Sequence, residues 1–110
     1  MSHAHQSEVL HTAELLQQLS HKRYHEFLRI PAMSAGIYVL QAGATDNQTP
    51  HKEDEIYYVV RGKAKMRLGR EEREVREADV IFVEAGLEHR FFEIAEELVL
   101  LVIFAPAESS

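Results

Sequence analysis

From Tyr24 onward the chain reads with a period of two, broken every few residues by glycine, proline or a polar run. That pattern admits little besides an antiparallel β-fold. Lys63–Leu68 shows it most plainly. Ala64, Met66 and Leu68 alternate with Lys63, Lys65 and Arg67, as in a strand with one face buried and the other in water. Tyr24–Arg29 alternates until Pro31 interrupts it. Ser34–Gln41 is rich in β-formers and stops before Gly43. Ala44–Pro50 is a polar loop, and Glu55–Arg61 is a strand that ends at Gly62. Arg70–Glu77 has helical propensity, yet it is short and sits between strands. It reads as an exposed hairpin arm with a solvated charged face. Asp79–Val83, Arg90–Ile94 and Leu98–Ala105 complete the set. Seven or more short strands in a chain of 110 residues predict an all-β sandwich or small barrel. Leu98–Ala105 is apolar on both faces, so both need cover.

Only one segment departs from this period. Thr12 offers an N-cap, Glu14 lies in the first turn, and Leu15, Leu16 and Leu19 fall on one face. The spacing predicts a short amphipathic helix over 12–21. Residues 1–11 are polar and read as a flexible tail, and His3 and His5 within it read as frayed chain rather than a chelate. One domain over 12–110 follows, because a chain this long builds a single core.

Composition removes several function classes. There is no cysteine, which excludes disulfides, thiolate metal sites and a cysteine nucleophile. Eighteen acidic against twelve basic residues give a net charge of −6, the wrong sign for a nucleic-acid partner. The longest apolar run, Leu98–Ala105, is far short of the roughly twenty residues a membrane helix needs. The first residues lack the basic and then apolar regions of a signal peptide. A cytoplasmic protein is expected.

Three residues carry the chemistry. His51 and Glu55 flank a strand start with the same parity, so an extended chain points both to one side. His89 opens another strand just after Gly86. If the fold brings the two strand starts together, two imidazoles and one carboxylate converge. That set serves Fe(II) in non-haem enzymes and leaves positions open for substrate and oxygen. Zinc, nickel, manganese and cobalt accept it as well. The ligands must be neutral imidazole and ionised carboxylate, the ordinary states at pH 7. The plain alternative is that these are surface histidines beside turns. Tyr57 and Val59 continue the parity of Glu55 and should line the pocket, while Tyr58 and Val60 point away. His21 and His25 read as surface residues, Tyr38 as pocket or core, and one of Phe91 and Phe92 as facing inward.

The spacing around these residues resembles that of small single-domain cupins. The first cupin motif is glycine, five residues, His-x-His, three or four residues, Glu, six residues, glycine. Here Gly43 leads to Thr49, His51, Glu55 and Gly62 at matching intervals over 43–62, with Thr49 in place of the first histidine. The second motif, over 78–93, keeps Gly86 and His89 but has Ala78 for its first glycine, Glu84 for its proline and Glu93 for its asparagine. The resemblance implies a jelly-roll barrel, the cupin double-stranded β-helix, with a short N-terminal helix added. It implies a divalent transition metal (Fe, Mn, Ni, Zn or Co) held by His51, Glu55 and His89. Thr49 is a poor donor, so the fourth position is open to substrate, or is filled by Gln48 or Glu53. The functions implied are a metal-dependent cupin acting on a small organic molecule, as a dioxygenase or as a Lewis-acid isomerase or decarboxylase. The alternatives are a non-enzymatic ligand-binding or structural-metal cupin, or one without metal. The two-faced strand Leu98–Ala105 and the family resemblance also imply a homodimer.

Overall fold

A computed structural model of the chain describes residues 7–109. Among them are one helix, α1 (Thr12–Gln17), and six strands: β1 (Tyr24–Ile30), β2 (Met33–Leu40), β3 (Asp54–Leu68), β4 (Glu71–Arg76), β5 (Val80–Val83) and β6 (His89–Ala105). Every pairing is antiparallel. The order is β1-β2-β6-β3-β4, with β5 also on β3. β3 is the organising strand. β6 pairs along its length, while β5 takes the other side at Glu55–Tyr58 and β4 takes it at Lys63–Leu68. No helix among the described residues is long and apolar enough to cross a membrane.

The strands are fewer and longer than the sequence suggests. Glu55–Arg61 and Lys63–Leu68 are one strand, and so are Arg90–Ile94 and Leu98–Ala105. Gly62 reads as a stop, but it lies inside β3 at φ 106°, where the register with β6 shifts repeatedly between Val59 and Lys65. A Cβ at Gly62 would sit 2.2 Å from the Glu97 carbonyl oxygen. The glycine is therefore a bend where two backbones touch, not a terminus. Ala78, at φ 75°, explains the glycine of the cupin motif in the same way. The backbone there is left-handed, and a Cβ is tolerated only at a cost.

The inward side chains of β3 (Tyr57, Val59, Ala64, Met66) meet those of β6 (Phe91, Ile94, Leu98, Leu100, Val102, Phe104) in the main core. A second cluster lies on the outer face, where Leu15 and Leu19 cover Ile37 and Val99. The second face of Leu98–Ala105 is thus covered at Val99 by the chain's own N-terminal segment. Beside it, Ile56, Tyr58, Val80 and Phe82 remain exposed. α1 is shorter than expected because Ser20 and His21 take positive φ. Its N-cap is His11, without a side-chain bond, and Thr12 is already helical. His3 and His5 lie outside the described residues.

Candidate metal centre

His51 comes from the loop after β2, Glu55 from the second residue of β3, and His89 from the first residue of β6. The turn before β6 is tied to the start of β3 by two bonds. Gly86 N–H donates to the His51 carbonyl at 2.7 Å, and Ala85 N–H donates to Asp54 Oδ1 at 2.9 Å. These bonds hold the two sequence motifs together, and one ligand atom from each of His51, Glu55 and His89 falls within 4.8 Å of the others. Glu55 Oε1 is 3.2 Å from His89 Nε2 and 4.0 Å from His51 Nε2. Glu55 and His89 are each 2% exposed, and His51 is half-buried.

The Nδ1 of His89 lies 2.9 Å from the Leu87 carbonyl, so the hydrogen-bond network assigns the proton to Nδ1 and leaves Nε2 as a lone pair aimed at Glu55. Burial works against a charged His89. The Glu55 carboxylate and the Leu87 carbonyl more than offset it, and its pKa is raised. Neither oxygen of Glu55 has a hydrogen bond. A buried carboxylate with no donor is costly, and a cation is what it lacks. Two nitrogens and one carboxylate oxygen, converging on one point, fit a divalent transition metal.

The surroundings differ from the sequence reading in several places. Thr49 is exposed and is not part of the wall of the cavity beside the triad. Gln48 is the loop residue that reaches the centre. Its Nε2 donates to Asp46 Oδ2 at 2.7 Å, which turns its carbonyl oxygen inward, 3.3 Å from His51 Nε2. Glu53 is buried, but its Oε2 accepts from Ser109 N–H and Oγ–H at 3.1 and 2.8 Å. Its Oε1 has no partner among the described residues, and Glu53 is not part of the converging ligand set. Val59 belongs to the core rather than the pocket wall. Tyr57, fully buried, donates from its hydroxyl to Gln48 Oε1 at 2.9 Å and stands 3.2 Å from His89 Nε2. Burial first, and then the Glu55 charge, push the Tyr57 phenol well above its usual range, so it stays protonated. Phe91 supports that ring edge-on at 5.1 Å, while Phe92 is half-buried.

A cavity of about 220 Å³ opens beside the triad, lined in part by Tyr24, Tyr38, Gln48, Tyr57, Phe104 and Glu108. No lysine or arginine lines it. Three of the residues that build this site carry no sequence signal. Asp46 looks like an ordinary loop acid, yet it is 3% exposed and accepts from Tyr38, Gln48 and the Phe91 amide. Tyr24 lies far upstream on β1. Glu108 lies in a polar tail, where only the fold brings it to His51.

Among known proteins, the family described as Cupin domain matches residues 36–104. The SCO3923 protein of Streptomyces coelicolor is 48% identical over 86 residues, covering 78% of this chain and 82% of its own length. Among solved structures, BH2720 from Bacillus halodurans superposes with a TM-score of 0.80 at 18% identity, covering 98% of this chain and 87% of that one. TT1209 from Thermus thermophilus gives a TM-score of 0.74 at 24% identity, covering 92% of this chain and 99% of that one. At these identities the solved structures establish the fold, an all-β jelly-roll barrel with a short N-terminal helix.

Proposed function

The chain belongs to the cupin domain family, and from that premise we propose that it holds one divalent transition metal through His51, Glu55 and His89 and binds a small organic molecule in the adjoining cavity. The observation that carries this reading is Glu55: a buried carboxylate, beside two imidazoles, with both oxygens unsatisfied. A bound metal would supply Lewis acidity or a route to oxygen for a ligand placed against it. The chain's own residues supply the rest. The cavity, about 220 Å³, is the size of a site for a small molecule. Tyr57 offers a hydroxyl proton that its raised pKa keeps in place. Gln48, fixed by Asp46, holds that hydroxyl at the centre's edge. The chemistry favoured is metal-assisted conversion of a small oxygen-bearing compound, either by dioxygenation or by isomerisation or decarboxylation.

A second reading, a closed structural metal site, is favoured by the position of Gln48 Oε1, which could serve as a fourth protein donor. Metal analysis of the purified chain for iron, manganese, nickel, zinc and cobalt is the first test. One equivalent is expected, and none in the His51→Ala/His89→Ala double variant. Undiminished metal in that variant would refute the site. Gln48→Ala separates the two readings: a closed site loses affinity sharply, while an open one keeps it and continues to admit small ligands.

A further inference from the structure

We propose that Glu108 is a positioning residue of the metal centre, carried back by the segment 106–109 to set its carboxylate against Nδ1 of His51 and so select the tautomer whose Nε2 is free to ligate. This rests on the metal reading above for its purpose, but not for its geometry. Glu108 Oε2 lies 3.2 Å from His51 Nδ1, a contact within reach of a hydrogen bond though not yet an aligned one. The opposite nitrogen, Nε2, faces two acceptors, Gln48 Oε1 at 3.3 Å and Glu55 Oε1 at 4.0 Å, so in the metal-free chain Glu108 competes with them for the ring proton.

The segment is held in place along its length. Ala107 N–H donates to the Pro31 carbonyl at 3.3 Å, and Glu108 N–H donates to the hydroxyl of Ser34, which is fully buried. Arg29 Nη2 donates to the Glu108 carbonyl at 2.6 Å. Ser109 donates twice to Glu53, which is 6% exposed. This gives Glu53 a use. It is a buried acid that anchors the segment through Oε2.

A metal-binding imidazole must carry its one proton on the nitrogen away from the metal, and an acceptor at that nitrogen both enforces the tautomer and fixes the ring. His89 receives this service from the carbonyl of Leu87, two residues away. At His51 the hydrogen-bonded carbonyl, that of the Gln48 side chain, lies on the Nε2 side, and Nδ1 meets the carboxylate of Glu108. The two ligands are thus oriented by different means, one local and one delivered by the fold. Glu108 also forms part of the cavity wall, so the segment shapes the ligand space it helps to order.

The test reads the tautomer and the metal separately. Two-bond proton–nitrogen correlation spectra of the ¹⁵N-labelled, metal-free full chain at about pH 9, above the ordinary imidazole range, are expected to show His51 protonated at Nδ1. Glu108→Gln should move it toward the Nε2-protonated form. Removing residues 107–110 should do the same. Cobalt(II) titration should show a roughly 10- to 100-fold loss of affinity in both variants. A merely structural tail would change melting temperature without changing the tautomer. An unchanged His51 tautomer in both variants overturns the proposal, whatever the metal does. If the wild type binds no cobalt(II) but the tautomer switches as expected, the positioning role stands and the metal reading fails.

Discussion

Glu55→Gln should make the metal-free protein more stable and the metal-loaded protein impossible. Both effects come from the same buried carboxylate. In the free protein, neither of its oxygens has a hydrogen bond, and its neighbour His89 Nε2 is a lone pair when the ring is neutral. Leaving a buried polar group unsatisfied costs about 1–3 kcal/mol, and more when it is charged. The substitution removes the charge and introduces an amide N–H that can donate to His89 Nε2. Unfolding entropy of about 2.1 cal/mol/K per residue gives roughly 0.23 kcal/mol/K for 110 residues. The expected rise in melting temperature is therefore roughly 4–13 °C, measured at about pH 9, well above the ordinary imidazole range. In the wild type, metal at a hundred times its Kd adds about 2.7 kcal/mol, or roughly 12 °C. The variant should lose that increment. Differential scanning calorimetry with and without metal measures both arms. A metal-free variant no more stable than the wild type, or one still stabilised by metal, would refute the reasoning.

Four further outcomes are expected. The raised pKa of His89 means that its pairing with Glu55 stabilises the metal-free fold fully below the ordinary histidine value of about 6.5 and loses that contribution as pH rises through the raised value; metal affinity runs the other way and weakens as pH falls through the same range. Melting curves of wild type minus His89→Gln across pH check the first, and a difference that grows with pH would contradict it. Gly62→Ala should cost about 3 kcal/mol or more, read by urea denaturation, because the new Cβ meets the Glu97 carbonyl in a left-handed backbone; a loss under about 1 kcal/mol would show that the bend relaxes freely. Thr49→His should leave cobalt(II) affinity unchanged, since Thr49 faces solvent, and a tenfold gain would place that side chain at the centre after all. Self-association is expected through the exposed cross-strand pairs Ile56–Phe82 and Tyr58–Val80; light scattering of the wild type at 12.6 kDa across micromolar concentrations would refute it, and Phe82→Glu should reduce any larger mass to that value.

What could be read in advance follows from what local geometry transmits. Within a strand, parity is rigid, so the shared side of Glu55 and Tyr57 was legible from spacing alone, whereas His51 lies in the loop before β3 and is brought to that side by the fold. Lys63–Leu68 announced its buried face for the same reason. The loop before His51 has no such period. Counting residues from Gly43 could place Thr49 in a motif but could not say where its side chain points, and Gln48 is the one turned inward by Asp46. Gly62 misled because a glycine that ends a strand and a glycine that lets two strands touch look alike in sequence. Glu108, Tyr24 and Asp46 were invisible because their roles depend on contacts with residues distant in sequence. The helix was legible as a leucine stripe, but its early end depends on backbone angles at Ser20 and His21 that no periodicity reports.

The curl of β6 has a kinetic consequence. Its first residue is His89, and Phe104, near its far end, packs edge-on against His51 with ring centroids 4.9 Å apart. Fully extended, that stretch would reach roughly 50 Å, longer than the 43 Å greatest dimension of the whole molecule. The ligands can therefore meet only after β3 and β6 have bent together at Gly62 and closed on themselves. Closure of that kind joins residues far apart in sequence and comes slowly. The triad is accordingly expected among the last native contacts to form and the first to part. A metal bound there would leave the rate of folding nearly untouched and act as a clasp, slowing the rate at which the barrel opens.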